Sequence, residues 1–281
     1  MMLGIFFIYQ RLNVPKLPVK VEVSENIDKS KLQTIYPSIY VVGSGGHPIA
    51  NMIPMAAQIT AATDNPAKTG LVLMVQTKKK YKVEVTGRID KGNLYPTVVV
   101  GMDDGTNSHE IYAYTMKAAM VYLASHYNIP WCNIVGYSSG GGGVLRYLMA
   151  YGNDKKLPSV KKFLSLDGEF NQEINLSVGE TLDDVLRNGP IKKSSDYQYF
   201  EKNYKKLNKN IEIALIEGDL KSSKKPNSDG AVPWSDAFSV YNLLEKNGNR
   251  VTHYMYVTPY YHGSVWKDTT AVAYIENFLY G

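Results

Sequence analysis

Cysteine is nearly absent. With Cys132 alone in a chain of 281 residues, no intrachain disulfide can form, which excludes a disulfide-stapled scaffold and removes the usual cysteine argument for export. Cys132 lies inside an apolar run, where an inert buried thiol is expected. Histidine is sparse too: the five present show no spacing suited to a metal site, and neither a metal nor an organic cofactor is expected. Arginine-rich stripes and an aromatic RNA platform are missing, so nothing supports nucleic-acid binding. No internal repeat is evident. The apolar opening, Met1 to Tyr9, is too short to span a bilayer as a helix. It also lacks the basic segment in front and the small-residue cleavage site behind that mark a secretory signal. It reads either as the end of a signal or membrane anchor whose beginning is not in this sequence, or as a strand.

What is present is an ordinary globular composition. Hydrophobic residues make up 44% and charged residues 20%, too apolar for a disordered chain. The 31 basic and 26 acidic residues leave a net charge of +5. Lysines cluster at Lys78-Lys79-Lys80, Lys161-Lys162, Lys192-Lys193 and Lys224-Lys225, the pattern of a solvated face or of attraction to an anionic envelope. The length suits one α/β domain over residues 16–281 behind a 1–15 signal or anchor remnant, with an insertion at about 171–210.

Patterning along the chain agrees. Lys16 to Glu25 alternates as an edge strand, and Thr34 to Val42 is an apolar strand ending in Gly43-Ser44-Gly45-Gly46. His47 to Thr63 has helical spacing, with Pro54 as a kink or a start. Leu71 to Gln76 and Tyr81 to Thr86 read as strands about a lysine turn. Tyr95 to Met102 reads as a buried parallel strand. Thr106 to Tyr127 is an amphipathic helix. Then follow a strand at Ile129 to Gly136, a helix at Ser139 to Tyr151 and a strand at Val160 to Leu166. Asn171 to Asn210 is polar and tyrosine-bearing, with a short helix at Leu182 to Asn188. Ile211 to Ile216 restores a strand, Ala237 to Leu244 is helical, Val251 to Val257 is the last strand and Ser264 to Tyr280 the last helix. Alternating strand and helix predicts a mostly parallel sheet with helices on both faces.

The chemistry centres on Gly136-Tyr137-Ser138-Ser139-Gly140, a G-x-S-x-G pattern placed where a strand turns into a helix. Small residues at the flanking positions let strand and helix approach while the serine stands on the turn. Ser138, Asp229 and His262 each follow a strand, and loops at the carboxyl ends of parallel strands gather into one crevice. A serine hydroxyl needs a base to become a nucleophile, and the base needs a carboxylate to fix its tautomer. Ser138, His262 and Asp229 are the candidates for these roles, in the chain order Ser-Asp-His. Backbone N–H groups of Ser139 and Ser44 are the candidates for holding an oxyanion. Asp167 and Asp219 are rivals for the acid. His253 within the last strand, and His47, His109 and His126 in or beside helices, compete poorly as the base.

The segments Val135-Gly136-Tyr137-Ser138-Ser139-Gly140-Gly141, Leu145-Arg146-Tyr147-Leu148 with Tyr151-Gly152-Asn153-Asp154, and Ser228-Asp229-Gly230-Ala231-Val232-Pro233, together with the histidine before the last helix, resemble the α/β-hydrolases. More closely they resemble a bacterial family of exported cell-surface hydrolases. That resemblance implies the α/β-hydrolase fold with a lid-like insertion, and an esterase- or lipase-like serine hydrolase acting on a small-molecule or lipid ester. It also implies export, with association with the membrane or cell envelope; a cytoplasmic place is the alternative. The chain departs from its relatives at Val42-Gly43, where they have His-Gly, at Tyr137, where they have histidine, and at Asp167-Gly168-Glu169, where they have a small neutral turn. Tyr197, Tyr199, Phe200 and Tyr204 are expected to form the lid or an acyl-binding wall. Acyl transfer, thioester or amide cleavage on the same residues, or a non-catalytic surface-binding role, are the competing readings.

Overall fold

The computed structural model describes residues 27–48, 51–62, 70–221 and 227–281. The expected 1–15 remnant and the strand at Lys16 to Glu25 lie outside these. Among the described residues eight strands form one sheet: β1 (Ser38–Val41), β2 (Gly70–Gln76), β3 (Lys82–Gly87), β4 (Thr97–Met102), β5 (Trp131–Tyr137), β6 (Ser159–Leu166), β7 (Glu212–Leu220) and β8 (Val251–Thr258). Their spatial order is β3-β2-β4-β1-β5-β6-β7-β8. Every neighbouring pair is parallel except β2 with β3. The central strands are apolar on both faces, as a doubly covered parallel sheet requires: Ile39, Val41, Val98, Val100, Ile134 and Val135 are all fully buried.

The described residues also form eight α-helices that flank the sheet: α1 (Met52–Ala62), α2 (His109–His126), α3 (Ser139–Tyr151), α4 (Leu182–Asn188), α5 (Ser195–Asn203), α6 (Trp234–Ala237), α7 (Tyr241–Asn247) and α8 (Thr269–Tyr280). Helix α2 packs against α3, and α1 against α8. Right-handed crossovers put these two pairs on opposite faces, because β1 to β2 runs one way along the sheet and β4 to β5 to β6 the other. Pro54 lies in the first turn of α1, where its missing N–H costs nothing. Cys132 is buried, and burial pushes its thiol up to about 12.

Among the boundaries that differ from the expected ones, three bear on the site and its strands. The first strand is short because Pro37 cannot donate to a ladder; Ser38 begins it. The final helix is preceded by a separate 3₁₀ turn over His262–Lys267, and α8 starts only after Asp268, whose side chain accepts from Thr270 N and Ala271 N. Strand β7 continues to Leu220, so Asp219 is not in a loop: it lies in the ladder opposite Val257.

Within the insertion, α4 is where its sequence places it, capped by Thr181 in a reciprocal pair with Asp184. Helix α5 turns Tyr197 and Phe200 into the main core, where both are fully buried. Those two aromatics are therefore core residues and not a pocket wall. Tyr199 is partly buried, with the Arg146 guanidinium 3.9 Å over its ring.

Candidate active site

The loops after β1, β5, β6, β7 and β8 lie side by side, because these strands are consecutive in the sheet and run in one direction. The nucleophile candidate follows β5. Ser138 has φ 54° and ψ −131°, outside the regions an L residue prefers. The turn is tight enough that a side chain at Gly136 would come within 2.8 Å of the Gly140 carbonyl. A side chain at Gly140 would run into the Val42 carbonyl of the neighbouring strand loop. The glycines of the motif are required by close approach, as a nucleophile elbow demands.

His262, just after β8, reaches across to both partners. Its Nε2 is 2.9 Å from Ser138 Oγ, and its Nδ1 bonds Asp229 Oδ2. Asp229 is fully buried in the loop after β7. Its Oδ1 accepts the N–H groups of Ala231 and Val232, both at 2.9 Å, so each oxygen has a fixed task. The backbone adds a further tie, His262 N–H to the Asp229 carbonyl at 3.1 Å. Burial alone would push the imidazole down. The Asp229 hydrogen bond and charge, with Asp167 and Glu169 behind them, outweigh it and raise the His262 pKa. Such a chain can move a proton from a hydroxyl to the imidazole while a carboxylate stabilises the resulting cation.

The rivals for the acid are placed differently. Asp219 is held in β7. Asp167 is close: its carboxylate, that of Asp229 and the His262 ring offer atoms within 4.8 Å of one another. Yet Asp167 accepts from Gly218 N at 3.0 Å and from the Tyr256 hydroxyl at 3.1 Å, and its partner is not the imidazole. Burial, then the nearby Asp229 charge, pushes its pKa well up. Glu217 is also fully buried and raised for the same two reasons. The Asp167–Asp229–His262 group has the composition of a cation site, but Asp229 already faces His262 with one oxygen and two backbone N–H groups with the other, and Asp167 already accepts from Gly218 and Tyr256. It does not fit a resident metal.

The two oxyanion candidates are near. Ser139 opens α3, so its N–H is among those with no partner inside the helix. Ser44 is exposed in the turn closed by Gly46 N to Gly43 O at 3.0 Å. That turn abuts the elbow: a side chain on Gly43 would come within 3.1 Å of Ser138 Cβ.

The contacts of two residues beside the site escaped the sequence reading. Glu169 donates its N–H to the Ser138 carbonyl at 3.2 Å, and its carboxylate takes the Ser139 hydroxyl at 2.5 Å. Burial raises its pKa. Tyr137 donates its hydroxyl to the His262 carbonyl at 2.5 Å, and its ring stacks on the imidazole with centroids 5.0 Å apart. Both fall in segments that the sequence singled out only as departures from the family it resembles. Asp236, at α6, gathers the N–H groups of Phe170, Asn171 and Glu173 on one carboxylate. It thereby fixes the exit of the loop after β6.

No curated protein matches this chain. Among solved structures, a Listeria innocua gene product aligns with a TM-score of 0.73 at 21% identity, over 88% of this chain and 94% of its own. A candidate cell surface hydrolase from Lactobacillus plantarum aligns with a TM-score of 0.67 at 17% identity, over 87% of this chain and 89% of its own. At such identities the likeness speaks for the fold. Residues 25–281 match the family described as alpha/beta hydrolase of unknown function (DUF915); the chain belongs to that family and is an enzyme of the hydrolase class.

Proposed function

We propose that the protein is a serine hydrolase that cleaves carboxylic esters through an acyl-enzyme. The observation that carries this reading is the position of His262, hydrogen-bonded to Ser138 Oγ on one side and to Asp229 on the other. Ser138 Oγ attacks the ester carbonyl as its proton passes to His262 Nε2, and Asp229 stabilises the imidazolium. The tetrahedral oxyanion lies against the N–H groups of Ser139 and Ser44. Collapse breaks the bond to the alcohol, which leaves with the proton from Nε2. Water then attacks the acyl group, His262 takes its proton, and the acid departs as the proton returns to Ser138. Every group this scheme needs is supplied by the chain itself.

The substrate is a small-molecule or lipid ester, and the place of action the cell surface or envelope. The description of the Lactobacillus plantarum protein as a cell surface hydrolase supports that location. Among the described residues no helix is long and apolar enough to cross a membrane.

A fluorophosphonate probe with short and long p-nitrophenyl esters tests the reading, with Ser138→Ala and His262→Ala as controls. Labelling and turnover are expected in the wild type and in neither variant. Equal labelling of wild type and Ser138→Ala would sink the assignment. Labelling without ester turnover would move it to thioester, amide or acyl-transfer chemistry.

A further inference from the structure

His262 stands on a loop with little of its own to hold it. Pro259, Tyr261 and Gly263 are exposed. Two of its ties run to the Asp229 loop: His262 N–H to the Asp229 carbonyl, and the Tyr261 hydroxyl to the Gly230 carbonyl, both at 3.1 Å. Neither reaches the strand that presents the nucleophile. Tyr137 does. It is the last residue of β5, only 3% exposed, and its backbone runs directly into Ser138. Its hydroxyl holds the His262 carbonyl at 2.5 Å, and its ring lies against the imidazole with an interplanar angle of 25°. Room for that ring exists because residue 43 is glycine: a side chain there would come within 3.0 Å of Tyr137 Cδ1.

We propose that Tyr137 is a positioning residue for the hydrolase reaction: it clamps the His262 loop to the elbow, so that base and nucleophile move as one body. The proposal rests on the serine-hydrolase reading. Its physical basis is the steep dependence of proton transfer on geometry, since a displacement of about 1 Å at a reacting centre is worth on the order of 10²-fold in rate. The clamp has two parts. The hydrogen bond fixes the height of the loop, and the stacked ring fixes the plane of the imidazole and faces the cation formed during the reaction. Tyr137→Phe removes only the first, and Tyr137→Leu removes both.

The test compares wild type, Tyr137→Phe, Tyr137→Leu and Ser138→Ala. It measures kcat and KM on a p-nitrophenyl ester, the melting temperature, and the low-field NMR signal of the proton between His262 Nδ1 and Asp229. Tyr137→Phe is expected to lower kcat about tenfold with KM and melting temperature unchanged, and Tyr137→Leu about a hundredfold with KM unchanged and a lowered melting temperature, since it also truncates a buried ring. The low-field signal is expected to be sharp in the wild type and broadened by exchange with water in Tyr137→Leu. Wild-type kcat and an undisturbed signal in both variants would overturn the clamp, and so would a loss of kcat in Tyr137→Phe that merely follows a fall in its melting temperature. Wild-type turnover no greater than that of Ser138→Ala would remove the hydrolase reading instead, and the proton signal alone would then decide whether Tyr137 orders His262.

Discussion

Asp229→Asn is the substitution whose outcome the geometry determines most closely. An asparagine there must choose which end faces which neighbour. Oδ1 of the aspartate accepts two backbone N–H groups, those of Ala231 and Val232. Turning an NH₂ group toward them would set donors against donors in a fully buried place, a cost of about 1–3 kcal/mol for each unpaired group. The amide oxygen therefore stays with the backbone, and its NH₂ faces His262 Nδ1. An imidazole opposite a donor must accept at Nδ1 and carry its proton on Nε2, which points that proton at Ser138 Oγ. The fold is intact and the base is gone. Loss of this kind in serine triads is about 10⁴-fold in kcat, or about 5 kcal/mol of transition-state stabilisation at about 1.4 kcal/mol per factor of ten. Initial rates on a p-nitrophenyl ester and the rate of fluorophosphonate labelling measure it, with circular dichroism to verify folding. Retention of more than about a tenth of wild-type kcat, combined with inactivity of Asp167→Asn, would refute the reasoning and transfer the role to Asp167.

Two further outcomes follow from the same site. His262 has a raised pKa in the folded protein and must be neutral to accept the serine proton, so kcat/KM is expected to fall as pH drops through an apparent pKa above the ordinary value of about 6.5; a limb centred below that value contradicts the stabilised imidazolium. Asp236→Ala strips the partner from the N–H groups of Phe170, Asn171 and Glu173, two of them on buried residues, and is expected to destabilise the fold by about 3 kcal/mol in urea denaturation. A change within about 0.5 kcal/mol would mean that water replaces the carboxylate without loss.

Much of the architecture was legible because each parallel strand is written as a short apolar run and each crossover as a helix-spaced one. The elbow was legible because close approach leaves only small residues at Gly136 and Gly140. The carboxylates were harder. Asp219 read as a loop residue because Glu217, Gly218 and Asp219 are polar, yet β7 runs through them. Burying Glu217 inside a sheet is a tertiary fact that no local pattern announces. Tyr197 and Phe200 read as a lid because an apolar pair three apart on a helix looks the same whether it faces a pocket or the core. The partners of Tyr137 and Glu169 were invisible for a simpler reason. Tyr137 meets a residue 125 positions away, and Ser139 meets Glu169 at a separation of 30, so only the fold joins them.

The backbone at Ser138 has one more consequence. A positive φ of 54° is a conformation glycine adopts freely and serine does not, at a cost on the order of 1–3 kcal/mol. A chain under pressure only to stay folded would drift to glycine at that position and become sturdier and inert. Under the serine-hydrolase reading, the serine there marks a place where the chemistry sets the residue against the stability of the fold.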